Sequence, residues 1–148
     1  MGPSAWTRFR SLPADERRLR FRALGLLARF RIALLLLPFD RVRRSSEARA
    51  ACAPSLDGAA VDRAIRSAAR FVPGATCLVR ALAARALLGP GARLVLGVGR
   101  DGSGEFAAHA WVEAADGRVV AERGDPALVP VSVPASPRVP AGGGAPCR

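Results

Sequence analysis

The chain contains no lysine, asparagine, glutamine or tyrosine, and it has a single histidine. Its formal net charge of +11 therefore comes from arginine alone. A coding sequence strongly biased toward G and C produces this composition without selection for binding, so the charge is a weak guide to function. Aromatic residues interleaved with the basic ones are few, and no zinc or helix-turn-helix spacing is present. We therefore expect no nucleic-acid partner.

Pairs of metal ligands are missing as well. One histidine and three scattered cysteines, Cys52, Cys77 and Cys147, provide no C-x-x-C or H-x-x-x-H pair. No glycine-rich phosphate loop precedes a helical pattern. The sequence therefore predicts neither a metal site nor a cofactor.

Long hydrophobic runs and a secretory signal are not found. The most apolar stretch, residues 32–39, is far shorter than the ~20 residues of a spanning helix. Residues 1–21 lack the order of basic, apolar and cleavage regions that a signal peptide needs. An odd number of cysteines also argues against a disulfide framework. We expect a cytoplasmic protein without a transmembrane segment.

Helical patterns dominate the first part of the chain. A basic, amphipathic helix is predicted over residues 14–37, between two prolines. Residues 40–56 are polar and mixed, and residues 56–71 again show helical spacing. A third helix is predicted over 77–88, where Thr76 can cap the start and the adjacent Gly-Pro-Gly ends it.

The second part of the chain changes character. Short, partly β-branched runs at 93–99, 106–113 and 118–122 are separated by Asp-Gly turns and predict strands. Helices followed by strands indicate an α+β fold.

Three segments are predicted from these patterns. Residues 1–55 form an N-terminal helical lobe, and residues 56–125 form the core of the domain. Residues 126–148, with many prolines and a triple glycine, are predicted to be a mostly disordered tail.

Cys77 is the first candidate for chemistry. A cysteine in the first turn of a helix has its thiolate stabilised by free backbone N–H groups and by the helix dipole. His109 lies within a predicted strand among small neighbours. A thiolate together with an imidazole that can take and give a proton near neutral pH suits acyl transfer.

A carboxylate that orients the imidazole would complete the set, and the hairpin after His109 offers Glu122 and Asp125. A four-residue or a two-residue loop leaves Glu122 on the face of His109, whereas a three-residue loop turns Glu122 away and leaves Asp125 as the diagonal neighbour. We favour Glu122 and keep Asp125 as the alternative.

The motifs Cys-Leu-Val-Arg-Ala, Leu-Val-Leu-Gly-Val, Ala-His-Ala-Trp-Val-Glu and Asp-Gly-Arg together resemble the lasso-peptide leader peptidases. That family is a transglutaminase-like branch of the papain-like fold. The resemblance covers roughly residues 10–122, including the Leu-Pro before a basic, leucine-rich helix. Where the family usually carries Asp, this chain has Glu122.

The resemblance implies a cysteine peptidase that removes the leader from a ribosomally made precursor peptide. Cys77 would be the nucleophile, His109 the general base and acid, and Glu122 the orienting carboxylate. It also implies a stand-alone peptidase that works with a leader-binding recognition protein and a lasso cyclase.

Two other functions share these residues. A transglutaminase-like acyl transferase would pass the acyl group to an amine instead of water. A catalytically impaired relative would only bind a peptide or a partner.

Overall fold

Four helices precede four strands in the computed structural model, which describes residues 12–100, 102–121 and 128–131. The elements in chain order are α1 (Ala14–Leu36), α2 (Phe39–Cys52), α3 (Gly58–Ala69), α4 (Cys77–Leu88), β1 (Arg93–Arg100), β2 (Phe106–Glu113), β3 (Val119–Val120) and β4 (Val129–Val131). The predicted α+β class, with helices first, is confirmed.

Helix α1 has the predicted bounds to within a residue and lies between Pro13 and Pro38. Its inner face buries Ala23, Leu27 and Phe30. Its outer face, in contrast, leaves several apolar side chains in solvent: Phe21, Ile32, Leu35 and Leu36. The helix is therefore apolar on two sides and less amphipathic than its sequence suggests.

Helix α2 corrects the interpretation of residues 40–56, where no helix was expected. Its buried face includes two polar residues, Arg43 and Ser46, beside Val42. The Ser46 hydroxyl is fully buried and donates to the carbonyl of Leu82, at 2.9 Å, in α4. A hydrogen bond of this kind allows a polar side chain to be buried. The buried face of α2 is therefore not uniformly apolar, and its sequence shows no helical spacing of apolar residues.

Both later helices begin with a side-chain cap. The Asp57 carboxylate accepts from the N–H of Ala60 at 2.9 Å and starts α3. Thr76 caps α4, as predicted, and α4 has the predicted bounds. Capping residues satisfy N–H groups that have no partner within the helix, which fixes where each helix starts.

The strands form one antiparallel sheet in the order β3-β2-β1-β4. Strand β1 pairs with β2 along its whole length, from Arg93 opposite Glu113 to Arg100 opposite Phe106. Strand β4 pairs with β1 and lies within the segment 126–148, where no packed element was predicted. Hydrogen bonds to the free edge of β1 order this short segment without a long apolar pattern of its own.

The core lies between the helices and one face of the sheet. Helix α4 is central, since most of its residues are buried, and it contacts α1, α2, α3, β1 and β2. Residues of α1 and α2 belong to the same apolar cluster as those of α3, α4 and the sheet. The sheet contributes its helix-facing side chains to this cluster: Leu94, Ala110, Val112 and Val120.

Within the described parts of the chain, no helix combines the length and the apolar character that crossing a bilayer requires. In the longest helix, α1, several arginines interrupt the apolar sequence.

An ion-pair network joins α2 to α4, and we expect it to contribute to the stability of the fold. The Glu47 carboxylate lies 2.6 Å from Arg43 and 3.0 Å from Arg85, and all three side chains are at most 20 % exposed. Glu47→Ala removes the shared carboxylate and should lower the free energy of unfolding by about 2–3 kcal/mol, as measured by urea denaturation.

Asp40→Ala is the matched control. Asp40 also faces Arg43, but at 3.7 Å and with a side chain that is 73 % exposed. Its loss should cost no more than about 1 kcal/mol, since exposed ion pairs contribute little. Equal losses in the two variants would contradict the role given to the buried network.

Candidate functional site

Cys77 is the first residue of α4, the central helix. Its side chain is half-buried, packs against the core, and carries a free thiol. The Thr76 hydroxyl accepts from the N–H of Val79 at 3.5 Å. The thiol therefore lies at the positive end of the α4 dipole.

The connection before Cys77 is a compact turn. Gly74 has φ +72°, and the Thr76 N–H donates to its carbonyl at 2.8 Å. The Arg31 guanidinium of α1 lies over this glycine, so closely that a Cβ there would be 2.7 Å from Nε. Any side chain at position 74 would displace Arg31, so this contact couples α1 to the start of α4.

His109 lies in the middle of β2, half-buried and opposite Gly97 of β1. Its ring stacks on that of Trp111, with centroids 6.4 Å apart and an interplanar angle of 23°. Trp111 is 2 % exposed, as expected of a wall or core residue. Its six-membered ring covers Gly97, where a Cβ would be only 2.6 Å from Cζ3.

Trp111 and its neighbours identify the face of the sheet on which His109 lies. Alternate residues of a strand point to opposite faces. Ala110 and Val112 pack in the cluster shared with the helices, so His109 and Trp111 belong to the other face. Gly97, opposite His109, makes room for the tryptophan on that face.

Cys77 and His109 lie in neighbouring layers. Helix α4 packs on β2, and the short connection at 89–92 turns the chain so that β1 returns toward the start of α4. At about 1.5 Å per helical residue and about 3.3 Å per strand residue, Gly97 is level with the half of α4 that begins at Cys77, but His109 opposite it lies on the sheet face turned away from α4.

Among the described residues, no hydrogen bond joins the Cys77 thiol to His109. Catalytic hydrogen bonds are often long in a free enzyme and tighten when substrate binds. The catalytic pairing of Cys77 with His109 therefore stays a prediction.

The hairpin between β2 and β3 has a three-residue loop. Glu113 faces Val119, and the Ala114 N–H donates to the carbonyl of Arg118 at 2.9 Å, which closes residues 115–117 into the loop. The four-residue and two-residue loops that favoured Glu122 are therefore not the ones observed.

Glu122 and Asp125 themselves lie outside the described residues. The observed register is the one in which regular alternation turns Glu122 away from His109 and leaves Asp125 as the diagonal neighbour. The β2–β3 ladder, however, ends at Val120. The choice between Glu122 and Asp125 therefore stays a prediction.

Ala121 marks the end of that ladder. It is 3 % exposed and has φ +64°, a left-handed conformation that alanine rarely adopts. Its N–H donates to the Asp62 carboxylate of α3 at 3.1 Å. The other oxygen of Asp62 lies 2.9 Å from Nε of Arg66. Sequence reasoning missed Asp62, because nothing near it in the chain indicates a bond to a residue so distant in sequence.

The predicted cysteine chemistry also depends on which cysteines are reduced. Cys77 is free, whereas Cys52 is disulfide-bonded. The odd number of cysteines argued against a disulfide framework, and the disulfide at Cys52 departs from that expectation.

The close contact between Trp111 and Gly97 should not tolerate a side chain at position 97. Gly97→Ala places a methyl group against the indole and should lower the free energy of unfolding by about 1–3 kcal/mol, as overpacking does. Displacement of the indole should also change the fluorescence emission of Trp111, which is measured by fluorescence spectroscopy. Gly102→Ala is the control, because its Cβ would meet nothing within 4 Å. An unchanged Gly97→Ala spectrum would contradict the fit.

Comparison with known proteins supports the fold. Residues 19–132, more than half of the chain, match the family model described as the transglutaminase-like superfamily. No curated protein and no solved structure matches the chain. The matched segment contains Cys77 and His109. With its helices followed by an antiparallel sheet, the chain belongs to the transglutaminase-like superfamily.

Proposed function

We propose that this protein is a cysteine peptidase that removes the leader from a ribosomally synthesised lasso-peptide precursor. One observation carries the proposal: the free thiol of Cys77 lies at the start of the central helix α4, within the segment that matches the transglutaminase-like superfamily and that also contains His109. The superfamily includes cysteine peptidases and acyltransferases, so both hydrolysis and acyl transfer are within its chemistry.

The first half of the reaction forms an acyl-enzyme. The Cys77 thiolate attacks the carbonyl carbon at the leader–core junction and forms a C–S bond. Backbone N–H groups at the start of α4 are available to hold the oxyanion. As the tetrahedral intermediate collapses, the C–N bond breaks, and His109 gives its proton to the amine of the core peptide.

The second half releases the leader. His109, now neutral, takes a proton from water, and the oxygen attacks the thioester carbonyl. The C–S bond breaks, and the leader leaves with a new carboxylate while the thiolate is restored. A carboxylate hydrogen-bonded to His109 would hold the imidazole in the required tautomer. Glu122 is the proposed residue, and Asp125 is the alternative.

The proposal includes partners and a compartment. A leader-binding recognition protein would deliver the precursor, and a lasso cyclase would consume the released core peptide. Ribosomal precursors are made in the cytoplasm, which is where we propose the reaction takes place. The disulfide at Cys52 is not typical of that compartment.

Cleavage of the precursor tests the nucleophile. The precursor is incubated with its leader-binding protein and either wild-type chain, Cys77→Ala or Cys77→Ser, and products are followed by mass. Both variants should lose more than about a thousandfold in rate, because the covalent route is removed. Thermal unfolding confirms that each variant is folded. Undiminished cleavage by Cys77→Ala would refute the proposal.

The masses of the products also separate the alternatives. Hydrolysis adds one water across the cleaved bond, whereas an acyl transferase joins the leader to an added amine. A binding module would give neither product, and iodoacetamide would label Cys77 no faster than free cysteine. That third function is favoured by one observation, the position of His109 on the face of the sheet turned away from α4.

The third member of the triad is tested by two isosteric changes. If Glu122 orients His109, Glu122→Gln should lower kcat roughly a hundredfold or more, because the amide favours the wrong imidazole tautomer. Asp125→Asn should then change kcat by less than about threefold. The reverse pattern would assign the role to Asp125. Two near-normal rates would remove the carboxylate from the proposed mechanism.

A further inference from the structure

In the described part of the chain, four arginines have the inner nitrogen of the guanidinium, Nε, buried and without a hydrogen-bond partner: Arg20, Arg43, Arg80 and Arg85. Three of them bind a carboxylate through a terminal nitrogen instead. Arg20 lies 3.1 Å from Glu16. Arg43 and Arg85 share Glu47, at 2.6 Å and 3.0 Å. Such pairs are expected, because a charge that is removed from water without a partner raises the free energy of the fold.

Arg80 has no such pair. Its guanidinium forms no hydrogen bond and no ion pair with any described residue. The side chain is half-buried, so solvent does not fully surround the charge. Residues 63–100, the stretch of sequence on either side of Arg80, contain no Asp or Glu. The fold therefore supplies a carboxylate to the other three arginines and leaves this one able to bind an anion from outside the chain.

Arg80 lies one helical turn after Cys77 in α4. Residues three apart on a helix are neighbours on one face, with Cβ atoms about 5–6 Å apart. Both side chains are half-buried, whereas Val79 and Ala81 between and beyond them are buried. Long side chains of a helix lie over the preceding turn, which for Arg80 is the turn that begins at Cys77. The guanidinium of Arg80 is thereby placed beside the thiol.

A second guanidinium, that of Arg31, lies near the same end of α4. A Cβ on Gly74, three residues before Cys77, would be 2.7 Å from Nε and 2.9 Å from Nη2 of Arg31. Arg31 is half-buried and, like Arg80, forms no hydrogen bond or ion pair with a described residue. Two cations from different helices, both left unpaired by the described residues, therefore lie near the start of α4.

We propose that Arg80 binds a carboxylate of the peptide substrate beside Cys77, with Arg31 adding positive charge at the same end of α4. The planar guanidinium presents parallel N–H donors that match the two oxygens of a carboxylate. That carboxylate is either an acidic side chain close to the cleaved bond or the new C-terminus of the released leader, and both present the same group to Arg80. The substrate role rests on the proposed function, whereas the binding of a carboxylate beside Cys77 does not.

Alkylation of Cys77 tests the site without peptidase activity. Iodoacetate and iodoacetamide react alike: the sulfur bonds to the CH2 carbon, the C–I bond breaks, and iodide leaves. Because both reagents alkylate the same thiolate, the ratio of their rates does not depend on how much thiolate is present. In wild type the iodoacetate-to-iodoacetamide ratio, followed by the mass of the peptide that contains Cys77, should exceed that of free cysteine at least about tenfold.

Three variants assign that ratio to one side chain. Arg80→Met removes the charge and should bring the ratio to within about threefold of free cysteine, whereas Arg80→Lys keeps the charge and should stay at least about threefold above Arg80→Met. Arg85→Met is the matched control, because it removes the same charge from the same helix but from a residue that binds Glu47. It should keep the wild-type ratio. Its thermal midpoint should fall, while that of Arg80→Met should not, since no ion pair is broken there.

Precursor cleavage, with the leader-binding protein present, identifies the source of the carboxylate. If it is an acidic side chain of the substrate, Arg80→Met should raise KM at least about tenfold and leave kcat within about threefold of wild type. If it is the new terminus of the leader, KM should be unchanged, and the released leader should inhibit Arg80→Met at least about tenfold more weakly. Arg85→Met should show neither change.

Equal alkylation ratios in wild type and Arg80→Met, or an equal fall in Arg85→Met, would overturn the site. A changed ratio with KM and inhibition by the leader both at wild-type values would refute the substrate role. Undiminished cleavage by Cys77→Ala would refute the proposed function instead, and the alkylation ratio would still decide whether Arg80 binds a carboxylate.

Discussion

The structure depends on the burial of α4 on nearly every side. Its buried positions include four alanines, Ala81, Ala83, Ala84 and Ala86, which let the surrounding helices and the sheet approach closely. A helix enclosed in this way cannot move without disturbing the core, since protein interiors are close-packed. The arginines of a chain with net charge +11 must therefore lie at the surface or pair with a carboxylate, as Arg85 does with Glu47.

Enclosure of α4 also determines where chemistry is possible. A helix surrounded by other elements meets solvent at its ends, and its N-terminal end presents N–H groups that have no partner within the helix. Cys77 lies at that end, where the thiol is half-buried while most of the helix behind it is buried. The same rigidity that stabilises the domain thus holds the proposed nucleophile still. His109 depends on the sheet instead, through the fit of Trp111 over Gly97.

The sequence predicted correctly those helices and strands whose bounds depend on residues close to them in the chain. The bounds of α4 follow from Thr76 and Gly89, which cap and end it, and the glycine has φ +83°. Strands β1 and β2 were predicted from β-branched runs and turns. Helix α2 was not predicted, because Ser46 is buried by virtue of a bond to Leu82, a residue distant in sequence. Strand β4 depends in the same way on the free edge of β1.

The same distinction explains why the candidate site was predicted unevenly. Cys77 and His109 are recognisable from their types and immediate neighbours, whereas the orienting carboxylate depends on a loop length and on a turn. The loop has three residues, contrary to the preferred registers, yet the ladder it starts ends at Val120. At Ala121 the backbone N–H bonds to Asp62, which no local pattern in the sequence connects to Ala121. The bond between Ala121 and Asp62 depends on how α3 packs against the sheet, which the sequence near either residue does not reveal.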